Sequence, residues 1–273
     1  MSLVTLNSSL TLSYTVSGLK DGPWLVCAHS LASNGRMWDA QMAFLESRFQ
    51  VLNIDLPGHG ASSTPPGPWT MEMLGDWVLD ALSQLGIGKC HWLGLSLGGM
   101  VGQAAALAAP EHIASLVLAD STSAHPTASR PMWEARAATA AEKGMVGIAD
   151  GTLERWFTTD FARVQPGALA DMRQAILTTP VEGFVQSALA IPKMNFTPRL
   201  GEIKCPTLVV VGDQDHATPL EHSQTLAQGI QGARLVIIRN AAHLSAVEQP
   251  EAFNAALDAF YAPLIDPVRN ASN

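Results

Sequence analysis

Gly94-Leu95-Ser96-Leu97-Gly98 follows an apolar run, Cys90–Leu93, and precedes an Ala-rich helical stretch from Gly99 to Leu107. This pattern predicts a strand that turns sharply into a helix with Ser96 at the apex. Glycines on either side leave room for a turn that a Cβ would obstruct, and the turn pushes the hydroxyl outward. A serine hydroxyl is a poor nucleophile near neutral pH unless a base takes its proton. The remainder of the chain must supply that base for the motif to carry chemistry.

The strand before Ser96 is one of several. Trp24–Ala28, Val51–Ile54, Ser115–Ala119, Thr207–Val211 and Arg234–Ile238 are further short apolar runs, the pattern of strands covered on both faces. Helical stretches lie between them, at Met37–Ser47, Met71–Leu85, Gly99–Ala108, Glu221–Gln228 and Pro250–Tyr261. Alternation of this kind predicts an α/β fold with a mostly parallel twisted sheet flanked by helices. Residues 3–16 alternate polar and apolar, as antiparallel strands at a sheet edge do.

Between Ser121 and about Pro198 the strand runs stop, and helical patterns take over at Pro131–Lys143, Gly151–Phe157, Pro166–Leu177 and Pro180–Ala190. The expected organisation is a core of residues 1–121 and 199–273 with a helical lid, residues 122–198, over the carboxyl ends of the strands. Open α/β sheets bind ligands there. The tail Asp266–Asn273 reads as frayed, and its Asn270-Ala271-Ser272 sequon has no role in a cytoplasmic protein.

Two more strand ends carry the partners that Ser96 needs. Gly212-Asp213-Gln214-Asp215 follows Thr207–Val211, and Ala242-His243-Leu244 follows Arg234–Ile238. Serine, acid, histidine is the required chain order, and each residue sits behind its own strand. His243 is the expected base. Asp215, deeper in its loop and nearer Pro219, is the expected acid, with Asp213 left to cap the loop or the following helix. The oxyanion of an acyl-transfer intermediate needs backbone donors, expected at Leu97, just after the nucleophile, and at Leu31 in the loop after Leu25–Ala28. His29, and Asp55 with His59 in the tight Asp55–Gly60 loop, read as loop-fixing residues. His112 and His125 have no partner pattern, and His216 and His222 fall outside the required order.

Composition narrows the remaining classes. The 273-residue chain is 47% apolar with a formal net charge of −8 and no Lys/Arg cluster, which argues against nucleic acid as a partner. No apolar run is long enough to cross a bilayer. No leader pattern opens the sequence, so a cytoplasmic location is expected. No metal-ligand spacing appears, and neither metal nor cofactor is expected. Cys27, Cys90 and Cys205 are too few and too scattered for a disulfide framework and read as buried thiols.

These motifs together resemble the α/β-hydrolase family along the whole chain and, more narrowly, the 3-oxoadipate enol-lactonases. The narrower likeness rests on Met37-Trp38, Asp55–Gly60, Gly94–Gln103, Leu153–Thr158, Thr179–Phe184, Gly212–Asp215 and His243–Phe253. It implies a cofactor-independent serine hydrolase with Ser96, Asp215 and His243 as triad and Leu31 and Leu97 as oxyanion donors. The substrate would be a small lactone or ester. Carboxylesterase, acyl-homoserine lactonase and perhydrolase activities share the machinery, as does a small-molecule receptor on the same fold. The resemblance disfavours dehalogenases and epoxide hydrolases, which carry Asp at the position of Ser96.

Two departures stand out: Ser30 follows His29 where many relatives have Gly, and Ile191–Met194 replaces an Arg-Asp pair. A substrate carboxylate would then fall to Arg130, Arg136, Lys143 or Lys193, each expected singly to be solvated. Trp133, early in the lid, is the expected ligand contact. Oligomeric state leaves no mark in the sequence. Denatured protein prepared without reductant should titrate three thiols with Ellman's reagent; a count of one would reveal a disulfide.

Overall fold

The computed structural model describes residues 1–265. Eight strands form one sheet: β1 (Ser2–Thr5), β2 (Thr11–Gly18), β3 (Trp24–Ala28), β4 (Gln50–Ile54), β5 (Cys90–Leu95), β6 (Ile113–Ala119), β7 (Thr207–Gly212) and β8 (Arg234–Ile238). Their spatial order is β1-β2-β4-β3-β5-β6-β7-β8. β1–β2 and β2–β4 pair antiparallel and all other pairs are parallel. The apolar runs behave as expected in the middle of the sheet, where every residue of β5 and β7 is buried. β8 does not: as the last strand it leaves Arg234 and Ile237 exposed, so that run is not covered on both faces.

Eleven helices connect the strands among the described residues: α1 (Asp39–Glu46), α2 (Met71–Gln84), α3 (Leu97–Ala108), α4 (Arg130–Lys143), α5 (Val146–Trp156), α6 (Thr159–Val164), α7 (Pro166–Thr178), α8 (Val181–Ala190), α9 (Leu220–Gly229), α10 (Ser245–Glu248) and α11 (Pro250–Ile265). No described helix is long and apolar enough to cross a membrane. The segment between β6 and β7 carries α4 to α8, one helix more than its hydrophobic pattern predicts. The additional helix, α6, is only six residues long and starts where the Thr158 hydroxyl accepts the Phe161 N–H. An isolated antiparallel bridge between Ala124 and Asn195 brings the two ends of this segment together. The expected frayed tail and its sequon lie outside the described residues.

Parallel register sets the functional edge. Ala28 pairs with Gly94, Leu95 with Ala119, Ala119 with Val210, and Gly212 with Ile238, so the strands end at one level. The order reverses direction between β3 and β5, which opens a crevice at their carboxyl ends.

Two buried histidines secure the loops beside it. The Leu56 N–H donates to His29 Nε2 (2.9 Å), which places the His29 proton on Nδ1, facing the Ser30 carbonyl at 2.7 Å. Asp55 accepts the Gly35 and Ala61 N–H groups, and His59 Nδ1 faces the Pro57 carbonyl. These residues therefore fix loops, as their setting in the sequence suggests. Cys27 and Cys90 are buried thiols, whereas Cys205 is only partly buried.

Burial, and then the neighbouring His29, push the His59 pKa down to about 3. Below pH 6.5 the unfolded chain protonates His59 while the folded state does not, so stability falls with pH across that window. The loss approaches about 1.4 kcal/mol per pH unit. His59→Gln should flatten the drop in urea-unfolding free energy between pH 6.5 and 5 relative to wild type; parallel slopes would sink this account.

Candidate active site

The turn after β5 is built as the glycines require. Ser96 has φ +54° and ψ −112°, a backbone region that non-glycine residues rarely occupy. A Cβ on Gly98 would run into the Ala28 carbonyl, and one on Gly94 into the Gly98 carbonyl. The turn is held from both sides: the Ser96 N–H donates to the Ala119 carbonyl (2.8 Å), and Ser121 Oγ donates to the Ser96 carbonyl (2.9 Å). Trp92 Nε1 donates to the Gly98 carbonyl at 3.0 Å.

The three residues expected from chain order meet at one place. His243 Nε2 lies 2.9 Å from Ser96 Oγ, and His243 Nδ1 lies 2.9 Å from Asp215 Oδ2. A carboxylate only accepts, so the proton sits on Nδ1 and leaves Nε2 free to accept from the serine. Asp215 Oδ1 takes the Ala217 and Thr218 N–H groups, and Oδ2 takes the Thr218 hydroxyl at 2.7 Å. Burial alone would raise the Asp215 pKa. The charge and hydrogen bond of His243, with those from Thr218, outweigh it and hold the carboxyl below its usual range.

Asp213 does not take part. It accepts the Ala241 N–H at 3.4 Å and pairs with Arg239 at 3.6 Å, so it ties loops at the surface. Neither the Leu31 nor the Leu97 N–H donates to another described residue. For Leu97 this follows from its place at the start of α3, where the first amides have no partner within the helix.

Ser96, His243 and Leu31 open into a narrow cleft that α4 and α5 cover with Trp133, Arg136, Arg155 and Trp156. Trp133 thus lies where a ligand contact was expected. Arg136 corrects an expectation: it is not a solvated residue. Its side chain keeps some exposure, but the guanidinium is crowded by protein, 5.0 Å from the Trp133 ring centre and 5.7 Å from that of Phe184. Burial and the nearby Arg155 push its pKa down to about 10. Its hydrogen bond goes to Thr152 Oγ1 (3.1 Å). Among the described residues no carboxylate stands within ion-pair distance of Arg136 or Arg155.

Sequence reasoning passed over four other residues. Arg155 and His125 both line the cleft. His125 packs its ring edge-on to Trp133 and to His222, and burial with the adjacent His222 pushes its pKa to about 4. Glu248 accepts the Ala242 N–H and the Thr158 N–H and hydroxyl, which links the loop of His243 to the start of α6. Asp120, at the tip of β6, accepts from Gly212 and Ser245. Arg155 and Glu248 fall inside stretches that carry the family resemblance, but nothing in those stretches shows what either side chain meets: Glu248 reaches Thr158 across 90 positions, and Asp120 reaches Gly212 and Ser245 across 92 and 125.

A mostly parallel sheet that presents serine, carboxylate and histidine beyond the ends of β5, β7 and β8, under a helical cover, defines a class of hydrolases. The chain belongs to the α/β-hydrolase family, whose sequence model matches residues 23–250. It is 34% identical to 3-oxoadipate enol-lactonase 2 of Acinetobacter baylyi over 250 residues, 92% of each chain. A crystal structure of the enol-lactonase from Burkholderia xenovorans LB400 superposes with a TM-score of 0.92 at 34% identity, covering 96% of this chain and 100% of the other. A hydrolase from Pseudomonas aeruginosa PA01 gives 0.90 at 38% identity, covering 95% and 97%. The family and these relatives support an ester or lactone hydrolase.

An unpaired cation in a recess is destabilising until an anion arrives. Arg136→Met should therefore raise the unfolding free energy of the free protein by about 1 kcal/mol, measured by urea titration. A loss of stability would show that the guanidinium is not under strain.

Proposed function

We propose that the protein hydrolyses a small lactone or ester bearing a carboxylate, by acyl transfer to Ser96. One observation carries this reading: the Ser96–His243–Asp215 relay opens into a cleft whose two arginines have no carboxylate of their own. The substrate's carboxylate would face Arg136 and Arg155, with its scissile carbonyl over Ser96 and its apolar part against Trp133. A lactone of 3-oxoadipate, the substrate in the relatives' name, uses one carboxylate in its ring and keeps the other. The chemistry is therefore of the kind this cleft suits.

In the proposed mechanism His243 Nε2 takes the Ser96 proton as Oγ attacks the carbonyl. The oxyanion forms beside the Leu31 and Leu97 N–H groups, neither of which donates to another described residue; backbone donors held by the fold stabilise such charge with little reorganisation. On collapse, His243 returns the proton to the departing oxygen. Asp215 keeps the imidazole in the correct tautomer and stabilises its protonated form. Water, deprotonated by the same histidine, then attacks the acyl-enzyme and releases Ser96. The leaving oxygen of a lactone stays attached to the acyl group, so water competes with reclosure. Residues 122–198 act in this scheme as a lid that excludes bulk solvent while admitting that water.

Ser96→Ala should abolish turnover of both a carboxylated aryl ester (4-nitrophenyl hydrogen glutarate) and a neutral one (4-nitrophenyl butyrate). Asp215→Asn should lower kcat by about 10⁴-fold. Arg136→Met should raise KM for the carboxylated ester by about 10- to 100-fold, the loss of a charged hydrogen bond, and leave the neutral ester unchanged. Activity surviving in Ser96→Ala overturns the nucleophile. Equal effects of Arg136→Met on both esters overturn the carboxylate site.

A further inference from the structure

Asp120 is fully buried and follows β6 with a positive φ of +45°, a backbone region in which Asp is one of the more frequent non-glycine residues. Its backbone N–H continues the sheet by donating to the Val210 carbonyl at 2.8 Å. Its side chain then spans two loops. Oδ1 accepts the N–H of Gly212, where the chain leaves β7 for Asp215 (2.9 Å). Oδ2 accepts the N–H of Ser245, two residues beyond His243 (3.3 Å), and lies 2.5 Å from Ser245 Oγ. Both neighbours of Asp120 hold the third loop, since Ala119 and Ser121 bond the backbone of Ser96.

Building on the triad reading above, we infer that Asp120 is a positioning residue that sets the Asp215 and His243 loops relative to each other and to Ser96. The three functional side chains come from positions far apart in sequence, and their two contacts of 2.9 Å depend on where three separate loops stop. Asp120 bonds both the acid loop and the histidine loop from outside either one. It contacts neither the cleft lining nor the relay atoms, so it acts through Gly212 and Ser245. Burial, and then the charge of Asp215, hold its carboxyl well above the usual range, so an uncharged group can do the same work. Asn has the right shape: its oxygen can take the Gly212 N–H and its NH₂ can donate to Ser245 Oγ, giving up only the longer 3.3 Å bond from the Ser245 N–H.

The test compares Asp120→Asn, Asp120→Ala and Ser245→Ala, using 4-nitrophenyl butyrate turnover and phosphorylation of Ser96 by diethyl 4-nitrophenyl phosphate. Misplacing reacting groups by about 1 Å lowers rates by about 10²-fold. Asp120→Ala should therefore lose about 10²-fold in kcat with KM within threefold of wild type. Its phosphorylation rate should fall in the same ratio, while every folded molecule still reacts once. Asp120→Asn should recover most of the loss.

A kcat within threefold of wild type in Asp120→Ala overturns the inference. So does a loss explained wholly by a smaller reactive fraction at an unchanged rate, the mark of a merely structural role. If Asp120→Ala does not fold, Ser245→Ala decides: about a tenfold lower kcat at unchanged KM supports the inference, and unchanged kcat overturns it. Wild-type protein that phosphorylates at a residue other than Ser96 would instead overturn the triad reading itself.

Discussion

Ser96 occupies a backbone conformation that carries about 1–3 kcal/mol of strain, and the surroundings must impose it. They do so at two levels. Packing forces the path of the chain, because Gly98 lies against the Ala28 carbonyl with no space for a side chain. Hydrogen bonds then fix the apex, from the Ser96 N–H to Ala119 and from Ser121 Oγ to the Ser96 carbonyl. If this turn relaxed, the hydroxyl would leave the line to His243 Nε2, and the order of strands would lose its chemical meaning. β6 is therefore more than a central strand. Its tip bonds the serine loop through the backbone and Ser121, and the two other loops through Asp120.

Charge is distributed against the overall balance. The chain carries a formal net charge of −8, yet the cleft is lined by two arginines. At physiological salt, charges more than about 8 Å apart are largely screened, so the acidic exterior acts weakly on an anion already inside. In the proposed reading the arginines would meet that anion at contact distance, where a charge-assisted hydrogen bond is stronger than a neutral one. Surface pairs such as Arg199–Glu202 and Arg163–Asp160 are exposed and add little to stability. The electrostatics that matter for the proposed chemistry are local: an ionised Asp215 under the imidazole, and cations facing the substrate.

The sheet and the relay were legible because each rests on local pattern. Continuous apolar runs separated by helical periodicity specify parallel strands, and a residue just past a strand's carboxyl end must lie on the ligand edge. Ser96, Asp215 and His243 could be read from order alone for that reason. Choosing Asp215 over Asp213 agreed with the structure, where Thr218 and His243 surround the first and Arg239 the second. The exposure of β8 was not legible, since a strand's place at the sheet edge is set by topology. Helix α6 escaped because six residues span too few turns to show a period, and its start is marked only by Thr158.

Arg136, Arg155, His125, Glu248 and Asp120 were missed, or misjudged as solvated, for a shared reason. A polar residue on a helix or loop reads as solvent-facing by default, and only its neighbours in space can reverse that reading. The sequence by itself determined the α/β alternation, the glycine-flanked serine turn and the order of the three relay residues, because chain-local sterics and periodicity dictate them. Tertiary structure alone decided which arginines of α4 and α5 line the cleft, how the histidine loop is joined to the start of α6 through Glu248, and how Asp120 joins the acid and histidine loops. Those relations depend on side chains brought together across tens of residues, where packing, and no local rule, sets the partner.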